Sequence, residues 1–267
     1  DLSGGWIVTG RMGFAMASRL LDAGADLTAW NRTRAKAEPL MEKGGKVVDS
    51  PTELADRDVV FTMVGGPKDF EEVAMGEHGV LSQGGQTPGM LIDCTSINEE
   101  SSKKVRDYAK GVGTEMIDAP VSGNHHVVVA GKLSIVASGD AASFEKARPF
   151  LEAIGRGVSY VGEGELARMV KICHNVMLGV VAQNMAEITV LAEKGGVPRQ
   201  AFLDFINNSV MGSMFTTYKT PAFVNLDMTP TFTPPLLRKD MDLGLSAARE
   251  LGVPMPVTAA ARECVQS

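Results

Sequence analysis

Residues 6–17 read WIVTGRMGFAMA, and their order predicts a strand, a glycine turn and a helix. A turn of the form G-x-G-x-x-G at this junction is typical of dinucleotide-binding proteins. Glycine there lets the backbone approach a pyrophosphate, and the helix N-terminus stabilises its charge. Gly10 and Gly13 fit the pattern, whereas Val8 occupies the first glycine position. An ordinary strand-to-helix turn would contain the same two glycines, and only the surrounding strand–helix order favours the nucleotide.

Short apolar runs alternate with helical segments through the first 160 residues. Residues 34–43 have a helical pattern, and Ser50-Pro51 marks another helix start. Such alternation indicates βαβ units and a mostly parallel sheet. Besides residues 6–8, the predicted strands are 26–30, 46–48, 58–64, 90–94, 115–120 and 133–137.

The pattern changes near residue 163. Residues 165–194 carry apolar side chains at three- and four-residue steps without a proline, which predicts a helix about 45 Å long. Helical patterns follow at 199–209 and 236–251, on either side of a Thr- and Pro-rich loop at 216–235. The predicted class is therefore α/β. A Rossmann-type, mostly parallel sheet domain covers residues 1–163, and a long linking helix opens an all-α C-terminal domain at 164–267.

Composition excludes several classes of protein. With 44% apolar and 22% charged residues among 267, the chain is globular rather than disordered. A net charge of −6 argues against nucleic acid as a partner, and no uninterrupted apolar run of 18 residues predicts a membrane span. We see no signal peptide at the start of the sequence. Cys94, Cys173 and Cys264 have neither metal-site nor disulfide-framework spacing, which favours a reducing, cytoplasmic setting.

The segment Asn31-Arg32-Thr33 follows the second predicted strand, where a Rossmann unit contacts the adenosine ribose. An acidic residue there would favour NAD. Arg32 can instead pair with a 2′-phosphate, to which Asn31 and Thr33 can donate, so the segment favours NADP, with NAD still possible. Alone, Arg32 would be interpreted as a solvated side chain, but its position after the glycine turn favours the cofactor.

Residues 118–124 read DAPVSGN and follow a predicted strand, at the edge of the sheet where ligands bind. The hydroxyl of Ser122 and the backbone N–H groups beside Gly123 suit a small carboxylate. A plain turn would account for the same residues. His125 and His126 come next, and we interpret them as loop residues in preference to ligand contacts.

Lys171 and Asn175 are four residues apart in the long predicted helix, so they share one face of it. A lysine there can give a proton to an alcohol oxygen as hydride moves, and the asparagine can orient the substrate or the lysine. The alternative is a lysine that extends to solvent from a partly wet helix.

In their order and spacing, these segments resemble the β-hydroxyacid dehydrogenase family. It includes 3-hydroxyisobutyrate dehydrogenase, tartronate semialdehyde reductase and the glyoxylate/succinic semialdehyde reductases. The resemblance spans nearly the whole chain. Val8 departs from the family's glycine turn, and Asn124 departs from a second glycine in its substrate loop. The similar segments are the glycine turn at 10–17, the substrate loop at 118–123, the catalytic helix at 164–175 and the late signature at 239–245 and 250–254.

The resemblance implies that Lys171 is the general acid/base, with Asn175 and Ser122 beside it in the catalytic group. Predicted substrate contacts are Ser122, Gly123, Asn124, Thr95, Ser96, Phe232 and Asp240. Predicted cofactor contacts are Gly10, Arg11, Met12, Gly13, Asn31, Arg32, Thr33, Met63, Val64, Pro67, Thr95 and Lys239.

The predicted reaction is hydride transfer between NADP(H) and a small β-hydroxyacid or semialdehyde acid. The partner is thus a small carboxylic acid, with no nucleic acid, membrane or metal. Apolar surface on the long helix and the Met-rich C-terminal part predicts a homodimer or homotetramer. Two alternatives stay open: an imine reductase of the same fold, and a nucleotide-binding scaffold without catalysis.

Overall fold

The computed structural model describes residues 3–8, 10–229 and 232–266, and the chain divides into two compact units, Asp1–Lys171 and Ile172–Ser267. Thr9, in the predicted glycine turn, and Pro230 and Thr231, in the predicted Thr- and Pro-rich loop, lie outside the described residues. The predicted domain division after residue 163 stays a prediction.

A parallel sheet forms the centre of the first unit, as the sequence predicts. Among the described residues its strand order is β3-β2-β1-β4-β5-β6. The chain order reverses between β1 and β4, and ligands of such sheets bind beside the carboxyl ends of the strands at that point. The strands are β1 Ser3–Val8, β2 Asp26–Trp30, β3 Lys46–Val47, β4 Val59–Met63, β5 Met90–Asp93 and β6 Glu115–Asp118.

Helices cover both faces of this sheet, and their apolar faces form two core clusters with the strands. Trp6 of β1 stacks on Phe61 of β4 with ring centroids 5.0 Å apart. Asn98 and Asp140 cap two of the helices by accepting from the N–H groups of Ser101 and Ser143. The helices are α1 Gly10–Asp22, α2 Pro67–Met75, α3 Glu99–Gly111, α4 His125–Val129 and α5 Ala141–Ile154.

A smaller sheet contains β7 (Val121–Ser122), β8 (Ser134–Ala137) and β9 (Gly157–Tyr160). The sequence predicts β8 but gives no signal for β7 or β9. β8 is antiparallel to β7 and parallel to β9, and a bridge between Asp118 and Ser138 joins this sheet to β6. Because the chain turns back on β6 through this antiparallel bridge, β8 does not become a further strand of the parallel sheet.

Two predicted helical segments of the first unit are tighter than expected. Residues 34–43 form the 3₁₀ helices Arg34–Lys36 and Glu38–Lys43. Pro39 lies at the start of the second of these helices, and Gly44 caps its C-terminal end. The predicted helix start at Ser50-Pro51 is a 3₁₀ turn, Pro51–Leu54, closed by a capping box of Ser50 and Glu53.

The long predicted helix is α6, Leu166–Lys194, which starts in the first unit and continues into the second. Its length and composition would suffice to cross a membrane, a criterion that core helices of soluble proteins also meet. The absence of a membrane span therefore stays a prediction.

The second unit is helical, as the sequence predicts, but part of the predicted loop at 216–235 is wrong. α8 occupies Met214–Asn225, because Ser213 and Thr216 form a capping box at its start. Gly179 and Gly244 lie where α6 and α9 cross, and an added Cβ at either would meet a side chain of the other helix. The remaining helices are α7 Arg199–Asn208, α9 Pro234–Leu251 and α10 Pro256–Gln266, the last without a predicted counterpart.

Candidate active site

The predicted glycine turn lies at the carboxyl end of β1, beside the point where the strand order reverses. Gly10 starts α1 with a φ of +66°, a conformation that glycine adopts without strain. Gly13 is buried, Met12 packs on the core, and Arg11 is exposed. The first turn of α1 contains no acidic side chain. Its N–H groups and dipole therefore suit an anion, and the residues present fit a dinucleotide pyrophosphate.

Asn31, Arg32 and Thr33 follow β2 at the same edge. Asn31 is buried, and its Nδ2 donates to the Thr33 carbonyl oxygen over 2.8 Å, which fixes the turn. The side chain of Arg32 is 74% exposed, and its guanidinium lies 3.2 Å from Oδ1 of Asp69 in α2. Since an exposed ion pair contributes little stability, Arg32 can exchange this carboxylate for a phosphate.

The loops after β4 and β5 are joined through Thr95. Its hydroxyl accepts from the N–H of Val64 over 3.0 Å and donates to Oδ1 of Asp93 over 2.7 Å. Thr95 therefore holds the two loops, with its hydroxyl engaged inside the fold. Ser96 is exposed, Met63 is half-buried, and Pro67 is the first residue of α2.

Ser122 ends β7, and Gly123 has a φ of +140°. An added Cβ at Gly123 would lie 2.7 Å from a methyl of Val127, so this turn requires glycine. Asn124 is the N-cap of α4: its Oδ1 accepts from the N–H of Val127 over 3.0 Å.

The interpretation of His125 and His126 as loop residues is wrong. They form the first turn of α4, because Asn124 caps the segment and Val128 is buried beneath it. Nδ1 of His125 lies 3.4 Å from the Arg11 carbonyl oxygen. This contact brings α4, which follows the predicted substrate loop, beside the first turn of α1.

α6 carries Lys171 and Asn175 one helical turn apart, and Lys171 is the last residue of the first unit. Within the second unit, Nδ2 of Asn175 donates to Oδ2 of Asp240 over 2.9 Å. The structure thus joins two predicted site residues that are 65 positions apart. Lys239 lies beside Asp240 in α9, and Phe232 precedes that helix with 38% of its surface exposed.

Sequence reasoning missed Arg168, a fully buried charge in the first turn of α6. Its guanidinium donates to Oδ2 of Asp93 over 2.6 Å, to Oδ1 of Asp118 over 3.3 Å and to the Thr95 carbonyl oxygen over 2.7 Å. Both aspartates are fully buried as well. A signal was available, because each of two successive predicted strands has an aspartate near its end. A carboxylate that is buried there requires a partner.

Burial and ion pairing oppose each other in this cluster. It raises the pKa of the Asp93 carboxyl, against the opposing effects of Arg168, Thr62 and Thr95. For Arg168, burial disfavours the charge, but Asp118 and Asp93 outweigh it and raise the guanidinium pKa. Burial likewise raises the pKa of the neighbouring Cys94 thiol. Arg168 therefore stays charged and neutralises part of the carboxylate charge at the ends of β5 and β6.

Two family models match the chain. The NAD binding domain of 6-phosphogluconate dehydrogenase matches residues 4–162. The second, described as NAD-binding of NADP-dependent 3-hydroxyisobutyrate dehydrogenase, matches residues 165–267.

Known proteins agree with these matches. Glyoxylate/succinic semialdehyde reductase 1 of Arabidopsis thaliana is 32% identical, over 97% of this chain and 90% of that protein. The 3-hydroxyisobutyrate dehydrogenase of Pseudomonas aeruginosa is 30% identical, over 95% of this chain and 87% of that protein. The structure of Mycobacterium tuberculosis 3-hydroxyisobutyrate dehydrogenase with L-serine superimposes with a TM-score of 0.84 at 26% identity, covering 99% and 92% of the two chains. The edge of the sheet suits a dinucleotide, and the family models and relatives match nearly the whole chain. The chain therefore belongs to the β-hydroxyacid dehydrogenase family of NAD(P)-dependent oxidoreductases.

Proposed function

We propose that the enzyme transfers a hydride between NADP(H) and a small acid substrate, which is either a β-hydroxyacid that is oxidised or a semialdehyde acid that is reduced. The observation that carries this proposal is the placement of Lys171 on α6 one turn before Asn175, whose carboxamide Asp240 holds in place. The relatives named above act on small acids of this kind, which supports the substrate class.

Lys171 is the general acid/base of the proposed reaction. A nicotinamide bound at the edge of the sheet would supply the hydride for reduction of the carbonyl carbon. In the reduction, Nζ of Lys171 gives a proton to the carbonyl oxygen, which becomes a hydroxyl. In the oxidation, Lys171 removes the same proton from the hydroxyl. A positioned group of this kind contributes roughly 10²–10⁴-fold to the rate.

Ser122 and Gly123 hold the substrate carboxylate in this proposal. The positive φ of Gly123 turns the backbone sharply after β7, and the half-buried Ser122 provides a hydroxyl donor beside it. The carboxamide oxygen of Asn124 is engaged by Val127, so Asn124 contributes its Nδ2 group as a donor. The other predicted substrate contacts, Thr95, Ser96, Phe232 and Asp240, stay predictions.

Arg32 gives the proposed preference for NADP. Its exposed guanidinium can leave Asp69 for a 2′-phosphate, and the turn that presents it is fixed by the buried Asn31. A carboxylate at this position would instead accept from ribose hydroxyls and favour NAD.

The protein is proposed to work as a homodimer or homotetramer, without a membrane, in a reducing compartment such as the cytoplasm. Large apolar side chains of the second unit are exposed, among them Met177 and Leu191 of α6 and Phe205 of α7. Apolar surface of this kind marks association sites. Light scattering after size-exclusion chromatography checks the oligomeric state.

A substrate panel tests the proposed activity. Small hydroxyacids and aldehyde acids are assayed by the absorbance of NADPH and NADH, beside their amides, their esters and cyclic imines. We expect turnover of at least one acid, faster with NADP(H), and its loss in Lys171→Ala. Turnover of imines but of no acid would make the enzyme an imine reductase. Cofactor binding without any turnover would indicate a nucleotide-binding scaffold without catalysis.

A further inference from the structure

The buried charges of the first unit converge on the start of α6. Arg168 meets Asp93 at the end of β5, Asp118 at the end of β6 and the backbone of Thr95. Ser102 of α3 accepts from Nε of Arg168 over 3.2 Å and donates to both oxygens of Asp118 over 2.9 Å. One guanidinium therefore joins one helix turn to the ends of two strands and to a second helix.

We propose that Arg168 is a positioning residue that sets Lys171 against the carboxyl ends of β5 and β6. This inference rests on the proposed role of Lys171 as the acid/base. Arg168 precedes Lys171 by three residues, so the two are neighbours on the helix surface, separated by about 4.5 Å along the axis. Any rotation or slide of the first turn of α6 is transmitted directly to the lysine.

The form of the guanidinium suits this task better than charge alone would. Its planar donors reach Asp93, Asp118, Ser102 and a carbonyl in different directions, which fixes both the rotation and the height of α6. A lysine ammonium is a flexible point charge and cannot satisfy the same partners in one geometry.

Further contacts hold the segment that leads into α6. Ser138 donates to the Gly164 carbonyl oxygen over 2.7 Å and accepts from the Ala167 N–H over 3.0 Å. Arg106 donates to Glu165 over 2.6 Å and lies 3.1 Å from Asp118. The first turn of α6 is thus fixed from two sides, and Arg168 is the member that reaches the loop after β5.

The test is a double-mutant cycle on Arg168→Lys and Lys171→Ala. We expect Arg168→Lys to lower kcat by about 10- to 100-fold while the Kd for NADPH stays unchanged, since small misplacement of a reacting group has effects of that size. In the Lys171→Ala background the same substitution should leave the residual kcat unchanged. Two groups that act as a unit are non-additive in this way.

A matched control separates positioning from stability. Leu151→Ala opens the core under α5, away from α6, and should lower Tm without lowering kcat. Ser102→Ala removes hydrogen bonds of the same cluster and provides a milder variant if Arg168→Lys does not fold. It should lower kcat in the native background and have no effect in the Lys171→Ala background.

The outcomes are distinguishable. If Lys171→Ala lowers kcat but the second substitution multiplies that loss, the positioning role is wrong and the acid/base role stands. If Arg168→Lys and Ser102→Ala both retain full kcat, the positioning role is wrong as well. If Lys171→Ala retains full kcat, the proposed acid/base role fails, and the positioning role fails with it.

Discussion

Asn175 donates from its Nδ2 atom to Oδ2 of Asp240 over 2.9 Å, which joins α6 to α9 inside the helical unit. Its Oδ1 atom lies 2.8 Å from Nδ1 of His174, so both ends of the carboxamide are engaged. The orientation of Asn175 is therefore set before any substrate binds. A group fixed in this way loses little entropy when it contacts substrate.

Lys171→Ala should lower kcat strongly while leaving cofactor binding intact. A positioned acid/base contributes roughly 10²–10⁴-fold to the rate, and we expect kcat to decrease by a factor in that range. Steady-state assays and NADPH fluorescence titration measure the two effects. Lys194→Ala, at the exposed end of the same helix, is the control and should keep full kcat. A Lys171→Ala enzyme with nearly native kcat would rule out the assignment.

Arg32→Asp should weaken NADPH far more than NADH. The substitution replaces the proposed phosphate partner with a repelling carboxylate, and one charge-assisted hydrogen bond contributes roughly 1.5–3 kcal/mol. Titration of both cofactors measures the preference. Arg34→Asp is the matched control, because Arg34 pairs with Asp49 and Glu38. Tighter binding of NADH than of NADPH to the native protein would contradict the NADP preference.

Ser122→Ala should raise KM for the acid substrate and reduce the enzyme's preference for the acid over its amide or ester. The hydroxyl donates to a carboxylate but is poorly matched by a neutral group, a difference of about 1.5–3 kcal/mol, or roughly 10–100-fold. Kinetics on the acid and its methyl ester measure this preference. If the preference is unchanged in the variant, the carboxylate binds elsewhere, and His125, His126 and Lys239 are the next positions to test.

Acid should weaken the contact between α9 and α10. Arg262 donates to Asp242 over 2.8 and 3.2 Å and holds the pKa of that carboxyl below its usual value. A lowered folded-state pKa adds stability above the unfolded pKa of about 3.9, and that stability is lost as the pH falls through the folded value.

Thermal unfolding between pH 7 and pH 3 measures the effect. Asp242→Asn should lower Tm at pH 7, and its difference from the native protein should shrink toward pH 3. A Tm difference that stays constant across this range would show that the carboxylate charge does not stabilise the contact.

Local sequence patterns predict the elements whose apolar side chains follow a regular order. β1, β4, β5 and β6 are short apolar runs between turn residues, and α6 keeps its three- and four-residue spacing throughout. β7 has two residues and β9 is only half-buried, so neither produces a detectable period. In α4 the run of three valines favours a strand by propensity, but the Asn124 cap and the burial of Val128 select a helix.

The candidate site likewise contains residues that local patterns reveal and residues that they do not. The segments around Gly10, Arg32, Ser122 and Lys171 could be found because each follows a strand or lies on a periodic helix. The partners of Arg168 are 75 and 50 positions away in the sequence. No local pattern records a pairing at that distance, since it arises only when the sheet has formed.

Arg168 also affects how this protein can be divided or recombined. The two family models meet between residues 162 and 165, so a chimera built at that seam would take the sheet from one parent and Arg168 from the other. Unless the donor helix brought a guanidinium to the same place, Asp93 and Asp118 would remain buried without their cation. Loss of one partner from a buried ion pair costs about 3–5 kcal/mol, a large part of the stability of a typical domain. The exchangeable module is therefore the sheet together with the first turn of the helix that follows it.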